Sequence, residues 1–200
     1  MKKDIKQEIL GTGLKLFTEY GYANVTMRMI ADALNISVGN LTYHIKRKED
    51  LIEAVLIERN QNFMIPEMPK TPEELYEFFR FGAEDQKRDD FFFRFYDQLE
   101  KISPRLYSLQ VVAITRRRKV LQDAFAALHK TGYILDEEYP GQFDSLIDVL
   151  NMIKIHWIPS NAAYPDSQDS SMNMIRSLMY PVLTKKGKIS FRELKRERTH

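Results

Sequence analysis

Residues Asn35–Lys48 read "NISVGNLTYHIKRK", and how this stretch is read decides the fold. Ser37 is placed to cap a short helix, "VGNLTYHI", because its hydroxyl can accept from a free N–H of the first turn. Leu41 and Ile45 stand at i and i+4, so both turn to the same, buried side. What remains is small, polar, aromatic or basic: Val38, Gly39, Asn40, Thr42, Tyr43, His44, Lys46 and Lys48. A preceding pattern, "MRMIADAL" at 27–34, is a second short helix with Thr26 as its N-cap. Two short helices joined through "NIS" have the helix-turn-helix layout, in which the second helix enters the major groove of DNA. Periodicity alone also allows a plain surface helix between two amphipathic neighbours.

The residue types fit the DNA reading. Gly39, with the short Asn40 and Thr42, lets a helix approach base edges closely; Asn reads adenine bidentately, and Val38 or Thr42 can touch a thymine methyl. Tyr43, His44, Lys46 and Lys48, at the end of this helix and the start of the next, suit phosphates, which fix register and give salt-dependent affinity. Ser37, and Thr26 with Arg28 at the preceding helix, open N-termini whose N–H groups can receive phosphate.

Outward from this stretch the pattern stays helical, with no persistent alternation of strand type. Residues 4–20 carry Ile5, Ile9, Leu16 and Phe17 and stop at Gly21, while Lys48-Glu49-Asp50 open a longer helix to about 63. "TPEEL" at 71–75 combines an N-cap Thr, Pro at the first helical position and Glu at the third. Further helical patterns cover about 72–87, 89–101, 104–131, 139–158 and 167–184. The sequence thus predicts an all-α protein: a helix-turn-helix domain at 1–47, a larger helical domain at 48–184 that the helix 48–63 connects, and a basic tail at 185–200 that is either frayed or a short last helix.

Charge divides the same way. Residues 1–50 hold 8 basic and 6 acidic side chains, 51–184 hold 15 and 20, and 185–200 hold 7 and 2, so a polyanion should meet an end. The absence of cysteine excludes a disulfide scaffold and a thiolate zinc site. His44, His129, His156 and His200 have no metal-ligand spacing. No apolar run reaches the roughly 20 residues that span a bilayer, and the opening "MKKDIKQEIL" is not a signal peptide, so a cytoplasmic protein without metal, cofactor or membrane partner is expected. No P-loop, GxGxxG, HExxH or G-x-S-x-G motif points to catalysis. The alternatives are a helical protein–protein or membrane-surface adaptor, or an all-helical enzyme without a recognisable motif.

The stretch "GYANVTMRMIADALNISVGNLTYHIKRKEDLIEAVL" resembles the DNA-binding domain of the tetracycline-repressor (TetR) family. The shared elements are a first-helix "IL…LF", the "GY" after it, a Thr-led "IA" helix, "NIS-x-G-x-L" and a "YH-x-K-x-K-E-x-L" exit, together about residues 5–56. Two features depart from the family pattern. The alanine-rich middle of the first helix is "GTG" here, with Gly11 and Gly13, and Thr42 and Ile45 stand where aromatics are common. The resemblance implies a DNA-binding transcriptional regulator of double-stranded operator DNA, more often a repressor, whose remaining helices form an effector-binding and dimerization domain.

Beyond residue 57 there is no transferable motif. The family comparison places a homodimer interface on the last two long helices, here Leu146, Leu150, Ile153 and Trp157 with Ile175, Leu178, Met179 and Val182; by sequence these stripes equally fill a monomer core. The phenylalanine surplus at 78–95 exceeds what one helix face buries. Phe78, Phe92, Phe95, Tyr96, Tyr107 and His156 are therefore candidates for an apolar pocket taking a small hydrophobic or aromatic effector. "RRRK" at 116–119 is expected to be solvated or paired with acidic neighbours.

Overall fold

Helix α1 (Ile5–Tyr20) buries Ile9, Gly13 and Phe17, spaced four apart, and stops at Gly21, whose φ of 79° lies in the left-handed region that glycine enters without strain. This computed structural model describes residues 5–61, 67–88, 93, 96–161 and 171–193. After a single 3-10 turn at Tyr22–Asn24 come α2 (Met27–Ala33), α3 (Val38–His44) and α4 (Lys48–Gln61). Then follow α5 (Pro72–Arg88), the short α6 (Leu99–Ile102), α7 (Pro104–Lys130), α8 (Gln142–Asn161), α9 (Ser171–Val182) and α10 (Lys185–Glu193). The fold is all-α; among the described residues the one extended pairing is an isolated antiparallel bridge between Ile134 and Leu183.

The chain divides into two compact units, Met1–Ile65 with Asp97–Leu109, and Pro66–Tyr96 with Gln110–His200. The first holds α1–α4, α6 and the start of α7. Helix α4 lies in this unit, whereas the sequence places the boundary before it, at 47/48. The reason is packing: the buried Leu51, Ile52 and Val55 of α4 face back toward α1. Leu51 lies so close to Gly13 that an added Cβ there would overlap its methyl and sit 3.1 Å from its Cγ. Gly13 thus answers to close packing, while a Cβ on Gly11 would meet nothing within 4 Å. Glu53 of α4 accepts from the buried Ser103, which also caps α7 through Leu106 N at 3.2 Å.

The second unit is built around α5, α7, α8, α9 and α10. Thr71 caps α5 by accepting from Glu74 N at 3.2 Å, and Glu74 accepts from Lys70 N at 2.7 Å, so the N-terminal donors of α5 are satisfied locally. The core contains Leu75, Phe79, Leu121, Phe125, Leu128, Ile147, Leu150, Ile175 and Met179. The basic tail, readable from sequence as frayed chain or as a short last helix, begins with a packed helix. Thr184 caps α10 by accepting from Gly187 N at 3.1 Å, and Phe191 is buried edge-on to Tyr76 at 5.6 Å. Leu183, Gly187 and Phe191, spaced four apart, give this charged segment one buried stripe, which its basic composition hides. Residues 194–200 lie outside the described residues.

Candidate nucleic-acid interface

The turn from α2 to α3 is fixed by its own backbone. Asn35 takes a left-handed φ of 55°, which asparagine tolerates better than most residues, and Ile36 N returns to Ala31 O at 3.0 Å. Thr26 caps α2 by accepting from Met29 N at 3.2 Å, and Ser37 caps α3 by accepting from Asn40 N at 3.1 Å. Ile30, Ala31, Leu41 and Ile45 are buried beneath the motif. Their burial turns the other side of α3 outward.

That outward side carries Ser37, Val38, Gly39, Asn40 and Tyr43, all exposed, with Tyr43 at 85%. A Cβ on Gly39 would meet only Ser37 Oγ, at 3.8 Å, so the glycine leaves a bare backbone at the exposed start of the helix. Tyr43 and His44 meet edge to face at 5.1 Å. Thr26, Arg28, Lys46 and Arg47 are also exposed. Thr42 is half-buried, and its hydroxyl donates to Gly39 O at 3.1 Å, so its methyl and the acceptor side of its hydroxyl remain for a base. Three exposed cations, Arg28, Lys46 and Arg47, and two helix N-termini thus flank a small-residue helix face, the donor set and shape a major groove accepts.

Lys48 differs from the expectation of a phosphate ligand. Its ammonium donates to the carbonyls of Tyr22 at 2.9 Å and Val25 at 3.2 Å, and lies 4.3 Å from the centre of the Tyr22 ring. Two of three donors are therefore spent inside the unit. The buried Tyr22 donates its hydroxyl to Glu49 at 2.9 Å; burial, and then this carboxylate, push the phenol well above the usual tyrosine value. Asp50 accepts from Arg47 N at 3.1 Å and from the Arg47 guanidinium at 2.8 Å, capping α4, and that hydrogen bond holds the Asp50 carboxyl below its ordinary range. Tyr22, Glu49 and Asp50 escaped the sequence reading; the "GY" and "KED" segments that carry them were its only trace.

Of the two places the sequence allows for the apolar stripes of the second unit, most of their residues take the core within one chain. Leu150, Ile153, Ile175 and Met179 are buried in their own unit's core, and Leu146, Leu178 and Val182 pack against it, because the apolar stripes face α5 and each other; Trp157 is half-buried. Phe78 is buried, Tyr96 and His156 meet edge to face at 5.9 Å with His156 exposed, and Tyr107 is exposed and belongs to the first unit. Phe92 and Phe95 lie outside the described residues. An open concavity of about 440 Å³ lies elsewhere, lined by Gln122, Phe125, His129, Asp136, Phe143 and Asp144 among others. In the RRRK run, Arg118 pairs with Asp148 at 2.6 Å and Lys119 with Asp123 at 2.7 Å. Among the described residues no helix is long and apolar enough to cross a membrane, and no group of three or more His, Cys, Asp or Glu could hold a metal ion.

A helix-turn-helix with an outward, small-residue second helix, on an all-helical chain of two units, defines the class: a DNA-binding helical regulator. Residues 9–55 match the family model of bacterial regulatory proteins, tetR family. The chain has the fold of a TetR-family transcriptional regulator from Marinobacter aquaeolei VT8, with a TM-score of 0.81 at 22% identity over 98% of both chains. It also resembles SmeT, solved as a triclosan complex (TM-score 0.63, 14% identity, 92% and 93% covered). A third structure alike in fold is the ketosteroid transcriptional regulator KstR2 of Mycobacterium tuberculosis (TM-score 0.61, 18% identity, 92% and 98% covered). No curated protein matches the sequence. Residues 9–55 are thus a tetR-type DNA-binding domain, on a chain whose fold is that of solved TetR-family regulators.

Proposed function

We propose that this regulator is a cytoplasmic, non-enzymatic repressor that binds operator DNA as a homodimer and releases it when a small apolar molecule occupies the second unit. The observation that carries the DNA part is the exposed N-terminal face of α3, where Val38, Gly39 and Asn40 stand clear of the core beside Tyr43 and Lys46. Thr26, Arg28, Ser37 and His44 complete the proposed contact set, with Thr42 contributing its methyl and Lys48 acting from behind. A dimer follows from the need to read two half-sites one helical turn apart.

The stripes expected to pair two copies are core, so the proposed interface moves to the opposite faces of the same helices. On α8, Ser145, Val149, Met152 and His156 are exposed at helical spacing, with Met152 60% exposed; on α9, Met174, Ser177 and Pro181 are exposed. The complex of SmeT with triclosan supports an apolar effector for a chain of this fold. The test is a fluorescence-anisotropy titration with the intergenic DNA upstream of the protein's own gene against random duplex. A salt-sensitive preference for the upstream DNA of tenfold or more is expected; equal affinity for both would refute site-specific autoregulation.

A further inference from the structure

The core of the second unit contains one polar side chain with no use in the fold. Asn151 of α8 is 5% exposed, and among the described residues neither its carboxamide oxygen nor its nitrogen has a hydrogen-bond partner. Leaving both ends of a carboxamide unpaired in an apolar interior is costly, and a leucine of similar volume would avoid it. Asn151 lies one turn from the buried Ile147 and one turn from Lys154 on the same stripe of α8. Lys154 donates to the carbonyl of Gly82 on α5 and lies 4.9 Å from the centre of the Phe93 ring. From α7, the Arg117 guanidinium lies 5.5 Å from the centre of the Phe78 ring and approaches within 3.4 Å of where a Gly82 side chain would begin. Helices α5, α7 and α8, with Phe93 from the segment after α5, thus bring two aromatic faces, two cations and the Asn151 carboxamide to one region.

A carboxamide presents a C=O acceptor beside an N–H donor on one edge. The group that satisfies both at once offers an N–H beside a C=O in the reverse order, closing a ring of two hydrogen bonds. A primary carboxamide or a lactam does this. A carboxylate accepts from the nitrogen and leaves the oxygen unpaired; a tertiary amide does the same. We infer that Asn151 is the recognition residue of a ligand site whose occupant is an apolar or aromatic molecule carrying a primary carboxamide or lactam edge. This rests on the ligand-responsive reading above and names the chemical class of its effector.

The test uses the full chain and two probes of one shape, naphthalene carboxamide and its N,N-dimethyl amide, followed by thermal unfolding at millimolar probe. The primary amide should raise the melting temperature of wild type by a few degrees and bind at least fivefold tighter than the dimethyl amide. Asn151→Leu should melt higher than wild type without probe and lose the primary-amide shift; Asn151→Asp, which offers only acceptors once ionised, should lose the shift as pH rises through the titration of that carboxyl. Equal shifts from the two amides, no shift from either, or an undiminished shift in Asn151→Leu each overturn the site. If other apolar compounds release upstream DNA equally from wild type and Asn151→Leu, the ligand-responsive reading stands and the Asn151 site falls. An Asn151-dependent shift with no DNA release supports the site and removes the regulatory reading.

Discussion

At the scale of single residues, the N-terminal unit separates groups that face outward from groups that hold the motif in place, and the two should fail differently. Asn40 is exposed and its side chain supports nothing in the fold, so Asn40→Ala should leave the melting temperature unchanged while weakening specific DNA by about 1–3 kcal/mol. Lys46→Ala should weaken all DNA alike and reduce the salt slope by about one. Lys48→Met is expected to do the reverse, lowering unfolding stability by about 1.5–3 kcal/mol for its lost charge-assisted bonds to the Tyr22 and Val25 carbonyls, with the salt slope intact. A salt slope that falls in Lys48→Met as it does in Lys46→Ala would return Lys48 to the phosphate. The Tyr22 phenol adds a pH signature. Its folded-state value is raised, by burial first and then by Glu49, so the stability it contributes is complete below the ordinary tyrosine value and is lost as pH climbs above about 10. Denaturation midpoints between pH 8 and 11 should fall less steeply in Tyr22→Phe than in wild type. The outward residues were legible because small, polar and basic types on a short capped helix have one obvious use. The clamp was not, since Lys48 reads as a surface cation until the Tyr22 and Val25 carbonyls, more than twenty positions away, are seen beside it.

At the scale of elements, most helices were legible because their caps and stoppers are chemical: Thr26, Ser37 and Thr71 open helices, and Gly21 closes one. Helix α10 was legible only as one of two readings, a frayed tail or a short helix, because its lysines mask the one buried stripe, which shows when Phe191 is seen packed on Tyr76. The two glycines of α1 show the same limit from the other side. Sequence prices Gly11 and Gly13 alike, at about 1 kcal/mol of helix stability each relative to Ala. The fold separates them. Nothing within 4 Å would meet a Gly11 Cβ, so Gly11→Ala should stabilise the protein by about 1 kcal/mol. At Gly13 the new methyl would overlap the fully buried Leu51 and force α1 from α4, so Gly13→Ala should destabilise by about 1–3 kcal/mol. Chemical denaturation of both variants checks the pair; equal shifts of the same sign would mean that α1 and α4 do not pack this closely.

At the scale of the whole molecule, periodicity shows that a helix has an apolar stripe but not whether that stripe meets the same chain or a second copy. On α8 both outcomes occur around one helix. Leu150 is fully buried in its own core, while Val149 and Met152, its neighbours in sequence, are 41% and 60% exposed. A charge on each side therefore tests the assembly against the fold. Leu150→Glu puts a carboxylate among Leu75, Phe79, Ile147 and the rest of that core, and should unfold the second unit or leave aggregates. Met152→Glu leaves the core untouched, so its melting curve should keep its cooperativity. If the proposed homodimer uses the outer face of α8, however, two such charges would be brought together near the symmetry axis, and the dimer should dissociate into folded monomers. Those monomers would retain the helix-turn-helix but lose the second half-site, so affinity for a two-half-site DNA should fall by at least a hundredfold while binding to random duplex changes little. Light scattering at micromolar protein, with circular dichroism on the same samples, separates the cases. A Met152→Glu protein that remains dimeric and binds DNA as wild type does would place the interface elsewhere, and a wild-type monomer would remove the homodimer altogether.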